Sequence, residues 1–450
     1  MIGYFLIAEP IISYWSIRQI ARGEPVGKTS LFSSGIFSVG TIPIYLILAN
    51  FVSSVSPEHL DSMILASILI PVAFISQTLM GINLGHKPHA TSYGLLGYES
   101  LKIPSALALV YFLDLGINGA ILATLMAYLG KVVIQLYFSK VKLQVKFDIS
   151  ILRRWIKLSW IPIYNNLANM IWTLDVILFT FITTSMIGVA YYAASMAVAA
   201  IIAHAAKISQ ALYPKLLTRG SHDYVSENFT RVIYFAIPLL GITIIFSKSA
   251  LFALNPVYEV ASIIVILLAF RTFFYVVTSV FYQVLLGIEN IDTKQNSNYS
   301  DFVRSKLFLI PTLNYIHHGL YIGILVAVLL FLNSDEVSEL ELVTAWSIIS
   351  VSLSIPFVIF AWILVRKNVK FSIPYTEIAK YVLATISFMI VFLLTSESII
   401  SFEISISDFL PGLILELFIC MAVYLAITYL IDKKTRALFK AILMEVVSNK

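Results

Sequence analysis

Hydrophobic residues in this chain gather into thirteen long stretches divided by short polar breaks: 2–19, 31–52, 62–82, 92–113, 117–138, 158–183, 187–212, 230–254, 260–287, 308–332, 342–365, 377–396 and 409–431. A helix needs roughly 20 mostly apolar residues to cross a hydrocarbon core, and these stretches have that scale. They are long and unbroken, unlike the roughly ten-residue alternating segments of a barrel, so they predict spanning helices. The pattern is thinnest at 92–113, where Gly94, Gly97 and Glu99 dilute it.

The polar breaks carry an alternation of their own. One set of loops holds Arg18, Arg22 and Lys28; Lys87; Lys140, Lys142, Lys146, Arg153, Arg154 and Lys157; Lys215, Arg219 and Arg231; Lys294, Arg304 and Lys306; Arg366, Lys367, Lys370 and Lys380; and Lys433, Lys434, Arg436, Lys440 and Lys450. That is 25 of the 30 basic residues, while the opposite loops hold only Lys248. The positive-inside rule assigns the basic set to the cytoplasm. The opposite loops include the acidic Asp335, Glu336, Glu339 and Glu341. The C-terminus is therefore expected in the cytoplasm of a multi-pass protein of the cell membrane, with Met1 outside. One further helix upstream would return both ends to the inside and bring the total to fourteen.

Composition agrees with a lipid-solvated chain: 59% of the 450 residues are hydrophobic and 12% charged, with mean hydropathy +0.90. Such a chain has too little polar surface for a soluble protein. The lone cysteine, Cys420, excludes a disulfide framework, and the seven histidines show no zinc spacing. Residues 2–19 lack the basic start and small-residue cleavage site of a secretory signal.

Internal repetition suggests two related halves. Stretch 2–19 runs into Ala21-Arg22-Gly23, and the next stretch carries Pro43; stretch 187–212 runs into Thr218-Arg219-Gly220, and the next carries Pro238. The expected organisation is an incomplete N-terminal lobe of five helices (1–138), a basic cytoplasmic linker (139–157), a six-helix lobe (158–365), an additional helix pair (366–431) and a cytoplasmic tail (432–450). Repeated lobes of this kind are a transporter-like plan.

Ionisable residues inside the stretches carry the strongest functional signal. A cation at the midplane costs about 2.5–3.5 kcal/mol on insertion scales, so Lys102, Lys131, Lys207 and Arg271 together cost on the order of 10 kcal/mol if they face lipid. They are expected to line a water-filled cavity as substrate contacts. Arg271 sits near the centre of 260–287 among Phe270, Phe273, Phe274 and Tyr275. Its guanidinium suits forked hydrogen bonds to a diphosphate or sugar acid; the structural alternative is a pair with Asp175. Lys102 follows Glu99 at i, i+3 spacing, which allows mutual neutralisation. Lys131 and Lys207 lie in the inner thirds of their helices, where snorkelling competes with a cavity role. His204 lies three residues before Lys207, and His317 and His318 are adjacent, so they point to different helix faces.

Asp175, Glu9 and Glu99 are the candidates for binding a driving proton or sodium ion. Glu9 precedes Pro10, where a proline frees a carbonyl; Asp175 alternatively pairs with an arginine or contacts Trp172 and Asn169. Glu416, in the terminal pair, reads as structural. No metal site and no cofactor are expected. The run Gly23 to Thr29 is one residue short of a phosphate loop and follows a membrane helix instead of a strand. The glycosylation-like Asn228-Phe-Thr230 and Asn298-Tyr-Ser300 fall on the cytoplasmic side. The basic linker from Lys140 to Lys157 suits contact with anionic lipids or gathering of an anionic headgroup. No nucleic-acid partner is expected.

Four stretches resemble a known family. Leu115-Gly116-Ile117-Asn118-Gly119-Ala120 looks like the entrance to its sixth helix, and Trp160 to Leu178, with Pro162 and Asp175, like its seventh. Ile187-Gly188-Val189-Ala190-Tyr191, running on to Ala211-Leu212-Tyr213-Pro214, looks like its eighth. Pro256 with Tyr258 fits the external turn before the tenth. In this order and spacing the chain resembles the polysaccharide-biosynthesis and O-antigen flippases of the multidrug/oligosaccharidyl-lipid/polysaccharide (MOP) exporter superfamily. The resemblance implies an all-helical, MATE-like two-lobe bundle with a cavity between the lobes, working by alternating access and not an enzyme. It implies a cargo of polyprenyl- or dolichyl-diphosphate-linked glycan moved from the inner to the outer leaflet. The lipid tail would stay in the bilayer, beside a groove that the extra helix pair helps form. Two rivals stand beside this expectation: a cation-coupled multidrug or small-molecule exporter of the same superfamily, which favours carboxylates in the cavity, and a membrane glycan polymerase or ligase. The latter needs a folded external loop, and no Asp-x-Asp pair occurs.

Overall fold

The computed structural model describes residues 8–53, 60–219, 223–293, 298–332, 337–403, 405–437 and 439–440. Outside these lie residues 2–7 of the first hydrophobic stretch, Lys294, Asp335, Glu336 and Lys450. The described chain is helical almost throughout. Eleven of its helices are long and apolar enough to cross a membrane, from Gly27–Phe51 to Asp408–Ile431. All eleven coincide with stretches expected from the sequence. Of the remaining two, 2–19 is described only from residue 8, with a helix Pro10–Ala21. The other, 92–113, forms the helix His89–Ala106 and the π-helical turn Leu107–Phe112, and its polar residues keep its hydropathy low.

Helices prevail because a chain in lipid must satisfy its own backbone groups. Prolines nevertheless sit inside helices, at Pro43, Pro104, Pro238, Pro311, Pro356 and Pro411, where each removes a backbone donor and frees a carbonyl. Large apolar side chains point outward, as Phe181 and Leu394 do at 82% and 77% exposure. On a lipid-solvated surface such a side chain needs no protein partner.

The chain divides into two compact units. The first comprises Met1–Asn169, Tyr213–Gly220 and Gly287–Thr312. In it, Pro10–Ala21 packs on Leu69–His86, which in turn packs on Gly116–Ser139. Gly85 permits the first approach: a Cβ there would stand 2.9 Å from the carbonyl oxygen of Ile17. The short helix Ile149–Lys157 starts at an Asp148 N-cap. It buries Leu152 and Trp155 and presents Arg153 and Lys157 outward. Trp155 donates its Nε1 hydrogen to Gln19 at 3.0 Å.

The second unit comprises Met170–Leu212, Ser221–Leu286 and Leu313–Lys450. Its core joins Phe179, Tyr192, Leu251, Val265, Tyr321, Leu325 and Trp346. The terminal helices Tyr375–Ile399 and Ile406–Ile431 pack on each other and on Asp223–Ile245. Tyr424 donates to the Tyr234 carbonyl at 2.6 Å, and Phe388 lies under Gly241. Glu416 is fully buried in this pair and accepts from Thr395 at 2.7 Å.

Candidate functional site

The span 160–183 is not one continuous helix. Trp160–Trp172 stops and Leu174–Thr183 begins after Thr173, with no proline or glycine at the junction. The break sets Trp172 at the end of one helix and Asp175 in the first turn of the next. A helix N-terminus favours a carboxylate, and Asp175 accepts a hydrogen bond from the backbone of Val176 at 2.8 Å.

Around this break the core of the second unit is aromatic. Tyr321 donates to Asp175 at 2.8 Å, and Tyr192 to the same carboxylate oxygen at 3.3 Å. Trp346 donates its indole hydrogen to the Tyr321 hydroxyl at 2.6 Å. Tyr192 stacks on Trp346, with centroids 3.7 Å apart and planes within 7°. Tyr321 stacks on Trp172 at 4.4 Å and 11°. Asp175 is thus 2% exposed and held by neutral donors, as a buried polar group must be.

Arg271 approaches the same aromatic group. Its Cζ lies 3.9 Å from the centroid of the Trp172 ring. Both the guanidinium and Tyr321 are therefore in contact with Trp172. A cation over tryptophan gains about 0.5–1 kcal/mol where solvent reaches it and about 2 kcal/mol when desolvated, and Arg271 is half-buried. Arg271 also directs a hydrogen to the Met196 sulfur at 3.2 Å. Among the described residues no carboxylate lies within ion-pair distance of it. The alternative of a direct Arg271–Asp175 pair is therefore not what the structure shows. Trp172 and Tyr321 stand between them in the chain of contacts. His317 and His318 flank Trp172, with ring centroids 5.9 and 5.1 Å away.

The other candidates are not gathered here. Lys102 and Glu99 are both exposed. The i, i+3 pair between them does not form, and the Lys102 ammonium lies 5.6 Å from the Tyr98 ring instead. An exposed ion pair gains too little to hold two long side chains together. Lys131 is buried and stands 5.9 Å from the Tyr128 ring. Lys207 is exposed, as is His204. Glu9, at 5% exposure, accepts from Ser13 at 2.9 Å and Thr78 at 3.3 Å. Like Asp175, it is a buried carboxylate held by hydroxyl donors.

One charged cluster was not singled out from the sequence. In the first unit, Asp292 takes two hydrogen bonds from Arg18, both at 2.7 Å, and two from Arg22, at 2.5 and 3.1 Å. Arg18, fully buried, also donates to the Tyr213 hydroxyl at 3.0 Å and the Glu289 carbonyl at 2.6 Å. Arg154 donates to the Asp292 carbonyl at 2.8 Å. The basic residues were visible as a loop signal; their acceptor lies 274 positions from Arg18, beyond any local pattern.

No protein-family model matches the chain, and no curated protein matches it. Solved structures do. The bent form of the Vibrio cholerae MATE transporter VcmN superposes with a TM-score of 0.60 at 11% identity, over 81% of this chain and 85% of that one. A MATE protein in its straight conformation gives 0.62 at 13% identity, over 81% and 86%. A MOP superfamily transporter from Pyrococcus furiosus, whose binding pocket is described as having reverse polarity, gives 0.59 at 15%, over 80% and 85%. What this chain shares with them is the fold: an all-helical, MATE-like membrane architecture.

Proposed function

We propose that this protein is a flippase that moves an anionic, lipid-diphosphate-linked glycan from the cytoplasmic to the outer leaflet by alternating access. Two lobes, 1–138 and 158–365, would alternate while the glycan and diphosphate cross on polar side chains, with no covalent step. The observation that carries this reading is the state of Arg271. It is a cation within a membrane span, fixed on the Trp172 face with no carboxylate at its side. A guanidinium held that way keeps its charge and in-plane donors for phosphate oxygens. The aromatic rings around it offer faces on which a sugar ring can stack. The MATE-like fold supports transport as the activity. Asp175 and Glu9 are the proposed proton or sodium sites, one in each compact unit. Lys131, Lys102 and Lys207 are secondary cargo contacts, and Glu99 a secondary ion site.

A second reading, export of a small organic cation, draws on those same two carboxylates, which are more deeply buried than Arg271. Reconstitution into vesicles separates the two. With a fluorescent polyprenyl-diphosphate sugar on one leaflet, wild type should equilibrate it and Arg271→Ala should not, although the variant inserts normally. If Arg271→Ala flips the probe at the wild-type rate, or only organic cations move, the flippase reading is wrong.

A further inference from the structure

The helix Gly27–Ser53 is turned inside out by the standards of a water-soluble protein. Thr29, Ser30, Ser33, Ser34 and Ser38 are fully buried, while Phe32, Ile36 and Val39 are 61%, 52% and 63% exposed. The exposed residues do not form a flat surface. Lys28, Leu31, Phe32, Gly35, Ile36, Val39 and Leu143 line a groove of about 650 Å³, all within the first unit. On the helix these positions follow one i, i+3, i+4, i+7 stripe, so the groove is a single helix face wide. Gly35 makes its floor: a Cβ built there meets nothing within 4 Å.

The ends of the groove differ chemically. Lys28 stands at one end, where Gly27 lets the chain approach Lys142 so closely that a Cβ would fall 2.2 Å from the Lys142 carbonyl oxygen. The segment Lys140–Leu143, which carries Lys140 and Lys142, packs on the helix at this end, with Leu143 in the groove lining, and Phe147 packs edge-on against Phe32 at 5.6 Å. The other end is wholly apolar. From Lys28 to Val39 the helix rises about 16 Å at about 1.5 Å per residue. That is close to half of the roughly 30 Å hydrocarbon thickness, the depth of one leaflet.

We infer that this groove seats the single hydrocarbon chain of a polyprenyl diphosphate in the leaflet on the basic side, with the diphosphate at Lys28, Lys140 and Lys142. The inference rests on the flippase reading and gives the cargo tail a place on Gly27–Ser53, not on the terminal helix pair. One stripe admits one chain, whereas a membrane phospholipid brings two. Three lysines match a diphosphate better than a singly charged phosphodiester.

The test uses the full chain in lipid nanodiscs with two photoreactive probes, a benzophenone-tagged polyprenyl diphosphate and a benzophenone-tagged phosphatidylglycerol, with labelled peptides mapped by mass spectrometry. The polyprenyl probe should label residues 31–39. Gly35→Trp, which fills open space and leaves the fold intact, should abolish that label. Lys28→Gln should weaken probe affinity about fivefold, equivalent to the roughly 1 kcal/mol of one basic residue at an anionic surface. Equal labelling of the stripe by phosphatidylglycerol, or labelling that survives Gly35→Trp, overturns the inference. Arg271→Ala should retain the label while losing transport. A loss of label on Gly35→Trp together with full transport in Arg271→Ala would leave the groove standing and remove the central-cation reading instead.

Discussion

Asp175 accepts the Tyr321 hydroxyl at 2.8 Å, and that hydroxyl in turn accepts the Trp346 indole hydrogen at 2.6 Å. One phenol therefore satisfies two buried polar groups on different helices. Removing it leaves both a buried acceptor short of a donor and a buried donor without an acceptor, each costing about 1–3 kcal/mol. Tyr321→Phe should lower the unfolding midpoint in detergent clearly. Tyr192→Phe, which loses only a 3.3 Å bond, should lower it less. Equal midpoints for the two variants would contradict this ranking.

Arg271 should not be replaceable by lysine. The Arg271 Cζ lies 3.9 Å from the Trp172 ring centroid, and a planar guanidinium offers a fork of donors in its own plane, whereas an ammonium offers a strongly hydrated point charge. Arg271→Lys is expected to retain expression but lose at least tenfold in flipping rate, a change of about 1.4 kcal/mol in barrier. Trp172→Leu, which removes the platform and leaves the charge, should show a comparable loss. Wild-type rates in Arg271→Lys would reduce Arg271 to a nonspecific positive charge.

The buried ion cluster makes a prediction about stability instead of transport. Arg18 is fully buried and its charge is answered by Asp292. Breaking one side of such a pair costs about 3–5 kcal/mol, because the surviving charge has no partner, while replacing both sides with apolar groups is often neutral. Asp292→Asn should therefore be severely destabilised or poorly expressed. Because Arg22 shares the same carboxylate, the triple variant Arg18→Met, Arg22→Met, Asp292→Leu should recover most of the loss. Measured midpoints in which the triple variant is the worse of the two would refute the assignment.

Much of this architecture is written in hydropathy. A span requires only a run of apolar residues, a local property, and all eleven qualifying helices fall on runs visible in the chain. Arg271 was likewise legible as a lone cation within such a run. Its partner was not. Opposite charge pointed to Asp175, but an aromatic ring competes well with a carboxylate once desolvated, and Trp172 lies 99 positions away with nothing local to mark it. The helix break after Trp172 carries no proline or glycine either; what sits there is Thr173, whose hydroxyl donates back to the Met170 carbonyl at 2.8 Å. The Glu99–Lys102 spacing promised a pair that does not form, since proximity on an exposed helix face confers little.

Asp432 gives the chain a dependence on acidity that can be read without assaying transport. It follows the last spanning helix, is 1% exposed, and accepts from the backbone and hydroxyl of Thr435 at 3.0 and 2.9 Å and from Lys380 and Tyr381, both at 3.3 Å. Burial alone would raise its pKa. The bonds from Thr435 and the charge of Lys380 outweigh burial and hold it below the ordinary carboxylate value. A depressed native pKa means that the contribution to stability is fully present above the unfolded value of about 3.9 and is lost as pH falls below that value through the native one. The contribution of this site, read as the difference between wild type and a variant without the carboxylate, should be constant from neutrality to about pH 5 and then decline. Asp432→Asn should be less stable than wild type at pH 7, and the difference should shrink on acidification. A difference that holds constant down to pH 3 would show that the charge of Asp432 does not anchor the end of this helix.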